Sequence, residues 1–144
     1  MQVREAMTRD VQVASPSQSI QQVARLMFDL DAGFLPVGEN DRLIGAITDR
    51  DIAVRGIAKG KGPKTAVRDV MTNDVLYCFD DEDIEHVARN MGEQQIRRLP
   101  VVDREKRLVG ILALADITAV RGGGPAGDAL EGISRSGGMH NQTG

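Results

Sequence analysis

Thr48 and Asp51 lie three residues apart in a polar cluster, Thr-Asp-Arg-Asp, that directly follows an apolar run. This is the spacing of a capping box, in which hydroxyl and carboxylate each accept a hydrogen bond from the other residue's amide. The first turn of a helix also presents free amides and a positive dipole end to a phosphate. A carboxylate there can accept both hydroxyls of a ribose, as in dinucleotide-binding folds. The pattern therefore predicts a helix start and is compatible with a ligand site.

A second copy of the cluster bears on these two interpretations. Asp116 occupies the position of Asp51, but Ala113 replaces the threonine. A carboxylate without its capping partner still makes sense as a ribose acceptor. Asp116 can also cap a helix by itself. Spacing alone leaves both interpretations open.

The other reactive side chains do not form a catalytic or metal-binding pattern. His86 and His140 are far apart, and His86 is expected on a helix surface rather than in a metal site. The only cysteine, Cys78, lies in a strand-like run, which favours a buried structural thiol over a reactive one. No nucleophile with an adjacent base and no P-loop is evident, so we do not expect an enzyme.

The composition indicates an ordinary globular protein. The chain has 144 residues, a net charge of −3 and 3% aromatic residues, which argues against a nucleic-acid binder with a basic face and aromatic platforms. No apolar stretch approaches the roughly 20 residues that cross a bilayer. We expect a cytoplasmic protein with neither a membrane nor a nucleic acid as partner.

The sequence is a tandem duplication. The segment "VREAMTRDV" from Val3 returns as "VRDVMTNDV" from Val67, and "SIQQVARLM" returns as "DIEHVARNM", each at an offset of 64 residues. The Leu-Pro-Val tripeptide also returns, and one extra residue then shifts the offset to 65. We expect repeats over residues 1–60 and 61–121, followed by a glycine-rich, disordered tail over 122–144.

Each repeat predicts the same order of elements, strand, helix, strand, strand, helix. Ser17 and Asp83 are the expected caps of the first helix in each repeat. Pro36 and Pro100 should lie at an edge or at a strand start, because proline cannot donate to a sheet, leaving nearby carbonyls available to a ligand. The fold class is α/β (α+β), with two β-α-β-β-α repeats packed face to face about a pseudo-twofold axis and sharing one core.

These motifs closely resemble a tandem pair of CBS domains, often called a Bateman module. The resemblance covers roughly residues 1–121 and rests on "VREAMT" and "VRDVMT", "GFLPV" and "RRLPV", and "GAITDRD" and "GILALAD". It is closest to free-standing bacterial CBS-domain proteins. It implies regulatory binding of an adenosyl ligand, AMP, ADP, ATP, NAD(H) or S-adenosylmethionine, in clefts between the repeats.

The resemblance also implies particular site residues. Thr48 matches the threonine that meets phosphate or ribose, and Asp51 and Asp116 match the aspartates that hold the ribose; Ala113 departs from the pattern. The segments near Val11 and Val75 resemble the adenine-contacting backbone. The other implied contacts are Phe34 and Pro36 in the first cleft, and Ile96, Pro100 and the phosphate-facing pair Arg97 and Arg98 in the second.

Several alternatives stay open. Arg97 and Arg98 are equally compatible with a solvated pair, and Arg55 is better interpreted as a partner of Asp51 than as a phosphate ligand. The connector "AKGKGPKTA" favours a solvated linker over a phosphate-attracting loop. The favoured function is a homodimeric nucleotide sensor that signals to an unidentified protein partner, and the alternative is a ligand-free interaction and dimerisation module.

Overall fold

The structure is a computed structural model that describes residues 1–121. The tail predicted over residues 122–144 lies outside this part of the chain. The described residues divide into two packed units. The first-repeat unit is Gln12–Val75, and the second-repeat unit combines Met1–Val11 with the described residues from Leu76 onward. No helix within residues 1–121 is long and apolar enough to cross a membrane.

The second-repeat unit has the predicted β-α-β-β-α order. Its elements are β3 (Cys78–Phe79), α2 (Ile84–Gln94), β4 (Arg98–Val102), β5 (Leu108–Ala113) and α3 (Leu114–Arg121), after a 3₁₀ turn at Val3–Glu5. The sheet order is β3-β4-β5, with β3 parallel and β5 antiparallel to β4. The predicted mixed α+β fold is confirmed.

The first-repeat unit follows the same order with two local differences. It contains α1 (Ile20–Leu30), an antiparallel pair of β1 (Phe34–Glu39) and β2 (Arg42–Thr48), a π-helix (Asp51–Gly56) and 3₁₀ turns at Ile57–Lys59 and Val67–Asp69. Its expected first strand is reduced to one parallel bridge, Ala14 to Val37. Its final helix is wound as a π-helix rather than an α-helix.

The caps of the first helices are partly as predicted. Asp83 caps α2 and accepts a hydrogen bond from the His86 amide, which confirms the prediction. The prediction of Ser17 as the cap of α1 is wrong. Ser19 is the cap, because its hydroxyl accepts from the Gln22 amide and the Gln22 side chain accepts from the Ser19 amide, closing a reciprocal box.

The prolines lie inside strands. Pro36 is the third residue of β1, and Pro100 is the third residue of the central strand β4, so the predicted edge or strand-start position is wrong for Pro100. Pro100 faces Ile111, whose amide and carbonyl are bonded to Thr8 instead. At such a non-hydrogen-bonded position the partner on β5 does not need an amide donor, so the missing N–H of proline costs no hydrogen bond there.

The repeated Met-Thr segments pack onto the sheet of the other repeat. Thr8, from the first repeat, exchanges two 2.9 Å hydrogen bonds with Ile111 of β5. Thr72, from the second repeat, exchanges equivalent bonds of 2.8 and 3.0 Å with Ala46 of β2. The glycine before each strand partner leaves room for this approach, because a Cβ on Gly110 would lie 2.7 Å from the Thr8 carbonyl oxygen.

The buried apolar residues form two clusters, one in each unit, rather than the single core predicted from the sequence. One cluster is built on Ile84, Met91 and Leu112, and the other on Ile20, Val37 and Ile47. The Met-Thr segments contribute Met7 to the former and Met71 to the latter. Each sheet is therefore covered by its own helices and by a segment from the other repeat.

Candidate functional site

The predicted capping box is present at the end of β2. The Thr48 amide donates to Asp51 Oδ2 at 3.0 Å, and the Asp51 amide donates to Thr48 Oγ1 at the same distance. The Asp51 side chain is 14% exposed, so its carboxylate lies close to the surface. The predicted helix start is confirmed, and binding of a ligand at this position remains a prediction.

The second copy keeps half of the box. The Ala113 amide donates to Asp116 Oδ2 at 3.0 Å, and Ala113 offers no hydroxyl in return. Asp116 is half-buried in the first turn of α3. Both interpretations of this aspartate are therefore compatible with its position, because a carboxylate has further lone pairs beyond the one that caps the helix.

Arg55 connects the π-helix to the segment that packs on β2. Its Nη1 lies 3.9 Å from Asp51 Oδ1 and donates to the Met71 carbonyl oxygen at 3.1 Å and to Thr72 Oγ1 at 3.3 Å. The favoured pairing with Asp51 is therefore present. The backbone bond to Met71 is shorter than the ion pair and was not predicted.

Both units bring a strand start and a helix start together by the same backbone bond. The Asp49 amide donates to the Gly33 carbonyl at 3.0 Å in the first-repeat unit. The Leu114 amide donates to the Arg97 carbonyl at 3.1 Å in the second-repeat unit. The two units therefore share the same backbone geometry at this end of the sheet, whereas the side chains there differ.

Several predicted residues gather at this end of each sheet. In the first-repeat unit, Phe34 faces Thr48 across the β1–β2 pair. Thr48 lies three residues before Asp51. In the second-repeat unit, Arg98 faces Ala113 across the β4–β5 pair, and Arg97 precedes it. Each unit therefore combines a strand start with a half-buried aspartate.

The remaining predicted residues lie elsewhere. Pro36 and Pro100 are buried in mid-strand, and the Pro36 carbonyl already accepts a hydrogen bond from the Ala14 amide at 2.9 Å. Val11 and Val75 are half-buried at the ends of the two Met-Thr segments. Val11 belongs to the second-repeat unit and Val75 to the first-repeat unit.

A cleft of about 210 Å³ opens beside the start of β4 in the second-repeat unit. It is bounded by the residues that lead into β3, by one face of α2, and by Ile96 and Leu99. Ile96 is the only residue among the predicted contacts that lines this cleft, while Arg97, Arg98, Pro100 and Asp116 do not. Tyr77, Asn90 and Gln94 line it and were missed.

A sequence signal for two of the missed residues exists. Val87, Asn90, Met91 and Gln94 recur at helical spacing along one face of α2. The helical spacing of Val87 and Met91 marks one face of a helix, but no role was predicted for Asn90 or Gln94. Only the packing of α2 against the residues before β3 shows that this face borders an open cleft.

Two adjacent cations lie at the start of β4 next to the cleft, while the cleft wall itself includes the carboxylate of Glu82. Arg98 is half-buried, and burial together with the charge of Arg97 lowers the pKa of its guanidinium. The negative charge of Asp116 raises the pKa of Arg98, so the two side chains interact electrostatically. Two adjacent cations at one strand start produce a positive potential that would attract a phosphate.

Cys78 forms part of the cleft wall and is buried. Its side chain is 3% exposed, as predicted for a structural thiol. Burial, followed by the negative charges of Glu82 and Asp80, raises the pKa of the Cys78 thiol to about 12. The thiolate, which is the nucleophilic form, is therefore negligible at neutral pH.

Metal ligands are not clustered in the part of the chain that the structure describes: no group of three or more His, Cys, Asp and Glu side chains could hold an ion there. His86 is exposed on α2, as predicted. Its Nε2 lies 3.3 Å from the Nδ2 of Asn90, a residue that lines the cleft.

The CBS domain family matches residues 3–55 and 67–123. The chain is 41% identical over 133 residues to the CBS domain-containing protein YhcV of Bacillus subtilis, covering 92% of this chain and 94% of the relative. It is 39% identical over 116 residues to Hypoxic response protein 1 of Mycobacterium tuberculosis, covering 79% and 80% of the two chains.

Solved structures show the same fold. Hypoxic Response Protein I with two coordinated zinc ions superposes with a TM-score of 0.74 at 34% identity, over 83% of this chain and 98% of its own. The CBS domain pair of protein MJ0100, in complex with 5′-methylthioadenosine and S-adenosyl-L-methionine, gives 0.71 at 30% identity over 85% and 96%. CBSX2 in complex with AMP gives 0.73 at 30% identity over 83% and 94%.

Proposed function

Because the chain belongs to the CBS-domain family, with two consecutive CBS domains, we propose that it is a non-catalytic regulatory module that binds an adenosine-containing ligand. AMP, ADP, ATP and NAD(H) are the candidate ligands. The MJ0100 domain pair holds 5′-methylthioadenosine and S-adenosyl-L-methionine, and CBSX2 holds AMP, so the ligands of both similar structures share an adenosine group. That shared group is the part this chain would recognise.

The observation that carries the proposal is the arrangement at one end of the sheet in the second-repeat unit. The cleft beside Ile96, the cations Arg97 and Arg98, and the carboxylate of Asp116 all lie around the start of β4. Because β3 and β5 flank β4, the cleft side and the Asp116 side are separated by about 10 Å, two strand spacings. A nucleotide can bridge this separation.

The proposed pose follows from the chemistry of these groups. The base occupies the cleft, the ribose hydroxyls donate to Asp116, and a phosphate faces Arg97 and Arg98. Asp116 gives one oxygen to the Ala113 amide and keeps the other for the ribose. The backbone beside Pro100 borders the base, because the preceding residue, Leu99, lines the cleft.

The first-repeat unit offers a related site with different charges. Asp51 would hold a ribose and Thr48 would meet ribose or phosphate, with Phe34 and Pro36 beside the base. Gly33 and Phe34 stand where the second repeat has its two arginines. We therefore propose that the second-repeat site binds phosphorylated ligands more tightly.

Signalling requires that the ligand bind one conformation better than another. We propose that the protein acts in the cytoplasm as a homodimer and that ligand occupancy changes the surface offered to a protein partner. Native mass spectrometry of protein purified from its host tests both points, since it reports the mass of the oligomer and any co-purified nucleotide.

Isothermal titration calorimetry with AMP, ATP and NADH tests the binding proposal. Asp51→Asn and Asp116→Asn retain an oxygen that can accept the capping amide but lose the charge that strengthens the ribose bonds. Each should weaken binding at its site about tenfold or more. Asp29→Asn, on the exposed face of α1, is the matched control and should leave affinity unchanged.

A ligand-free interaction module is the second candidate, and the missing hydroxyl at Ala113 favours it. In that case both aspartates serve only as helix caps. Calorimetry would then detect no binding of any of the three nucleotides, while native mass spectrometry would still detect the dimer. Hydrolysis of a nucleotide that Asp51→Asn abolishes would instead contradict the non-catalytic role.

A further inference from the structure

We propose that Asn90 and Gln94 select the base in the second-repeat unit by hydrogen-bonding the edge that carries the 6-amino group of adenine. The inference rests on the proposed function, and it adds two specificity-determining side chains from α2. Neither residue belongs to the strand starts or helix starts from which the site was predicted.

The position of the two amides carries the inference. Asn90 and Gln94 are one helical turn apart on α2, and both line the cleft. Val87 and Met91 on the same face are buried and line its apolar part. The helix thus offers an apolar surface for a ring and an exposed polar rim for its edge.

The strand side of the cleft suits the flat face of a base. Leu76 and Tyr77 lead into β3, line the cleft, and are 50% and 41% exposed. Large apolar side chains exposed at a cleft lose unfavourable water contact when a ring covers them. Ile96 adds apolar surface at the start of β4.

Amide side chains match adenine in particular. Each carries a donor and an acceptor, and the 6-amino group of adenine is a donor beside ring nitrogens that accept. Asn and Gln pair with this adenine edge through two hydrogen bonds in nucleic-acid recognition. A purine without the 6-amino group leaves the amide oxygen without a donor, and a site built around such a bond discriminates strongly.

The Asn90 amide is held by the protein. Its Nδ2 lies 3.3 Å from His86 Nε2, one helical turn earlier. When this ring nitrogen is unprotonated it accepts from Nδ2, which leaves Asn90 Oδ1 available as the acceptor for a 6-amino group. Glu82, also in the wall, is fixed by accepting a 2.8 Å bond from the Phe79 amide.

The duplication provides an internal contrast. At an offset of 64 residues, Asn90 and Gln94 correspond to Leu26 and Leu30 on α1. Leucine has no polar atom with which to recognise the edge of a base. The first-repeat unit therefore lacks this selectivity, and the two repeats differ in how strictly they require adenine.

The test compares AMP with purine riboside 5′-monophosphate, which lacks only the 6-amino group. The variant Asn90→Leu with Gln94→Leu installs the residues of the first repeat. Wild-type protein should bind AMP about tenfold or more tightly than the analogue at the second-repeat site. In the double variant the two affinities should become nearly equal, while the affinity for the analogue changes little.

Glu93→Leu is the control, since Glu93 is exposed on α2 and does not line the cleft. It should retain the wild-type preference for AMP. Thermal melting monitors folding, and the two single variants replace the double variant if it melts early. If wild-type protein binds AMP and the double variant keeps the full preference, this inference is wrong although the proposed function stands. If wild-type protein does not bind AMP, both fail.

Discussion

The carboxylate of Asp116 accepts a 3.0 Å hydrogen bond from the Ala113 amide, but the Ala113 side chain offers no oxygen to which the Asp116 amide could donate in exchange. The equivalent pair in the first repeat, Thr48 and Asp51, is reciprocal. The two helix starts are therefore a natural comparison of a complete capping box with half of one. Their difference has a measurable effect on stability.

Completing or breaking the box should change the free energy of unfolding in opposite directions. Thr48→Ala removes the hydroxyl acceptor of the Asp51 amide and should cost about 1 kcal/mol. Ala113→Thr supplies that acceptor to α3 and should stabilise by up to about 1 kcal/mol. Urea unfolding followed by circular dichroism measures both. Thr118→Ala, exposed within α3, should change little, and an equal loss there would refute the capping explanation.

Alanine should not be tolerated at the glycines that receive the Met-Thr segments. A Cβ on Gly45 would lie 2.7 Å from the Thr72 carbonyl oxygen, and one on Gly110 would lie 2.7 Å from that of Thr8. Backbone atoms must shift, so each substitution should cost about 1–3 kcal/mol in thermal or urea unfolding. Gly62→Ala meets nothing within 4 Å and should be neutral or slightly stabilising. Equal melting temperatures for all three variants would contradict this account.

Stability should fall at alkaline pH because of Cys78. Burial raises the pKa of this thiol from 9.0 to about 12, so the unfolded chain loses the proton between these values while the folded protein keeps it. The contribution is complete below pH 9 and is lost as the pH rises through that window. The wild-type free energy of unfolding should therefore decline more steeply above pH 9 than that of Cys78→Ala, which carries the first-repeat residue Ala14 at this position.

The same burial should protect the thiol from alkylation. At pH 8 iodoacetamide should modify folded protein slowly and unfolded protein quickly, as followed by mass spectrometry. Rapid modification without denaturant would show that the thiol is accessible. Parallel alkaline slopes for wild type and Cys78→Ala would contradict the raised pKa.

Arg104 should control the titration of Asp81. It donates to both carboxylate oxygens, at 2.7 and 2.8 Å, and its guanidinium lies 4.2 Å from the centre of the Phe79 ring. Hydrogen bonding from Arg104 lowers the pKa of the Asp81 carboxyl. The pair therefore stabilises the fold at pH values above the ordinary pKa of an aspartate, and this contribution is lost as the pH falls through the lowered pKa.

Arg104→Gln should therefore raise the pKa of Asp81 toward its ordinary value, as followed by carboxyl-carbon NMR. Arg107→Gln is the matched control, because Arg107 bonds Asp103 instead and leaves Asp81 untouched. An unchanged Asp81 titration in Arg104→Gln would contradict this assignment.

Much of the local structure could be predicted because it depends on neighbours in the sequence. The helical spacing of Ile84, Val87 and Met91 is a local property, and so is the capping relation of Thr48 and Asp51. The cap of α1 was misplaced by two residues because Ser17 and Ser19 are both acceptable caps. Ser19 is the one whose third neighbour, Gln22, can close the box.

The cleft could be predicted only at Ile96. Asn90 and Gln94 have ordinary surface character along the chain, and α2 gives no sign of which polar residues border a cavity. Their role depends on where the residues before β3 lie, which is a contact between distant parts of the sequence. The internal position of Pro100 was missed for the same reason, because β4 becomes a central strand only by pairing with β3 as well as with β5.

The sequence by itself determined that the chain is a duplicated unit with a helix start and a carboxylate at matching places, because these features repeat within short windows. Only the tertiary structure decided which Met-Thr segment joins which sheet. Both sheets carry the same glycine and both segments the same Met-Thr pair, so local rules permit either pairing. The choice rests on long-range packing, with Met7 in the cluster of the second repeat and Met71 in that of the first.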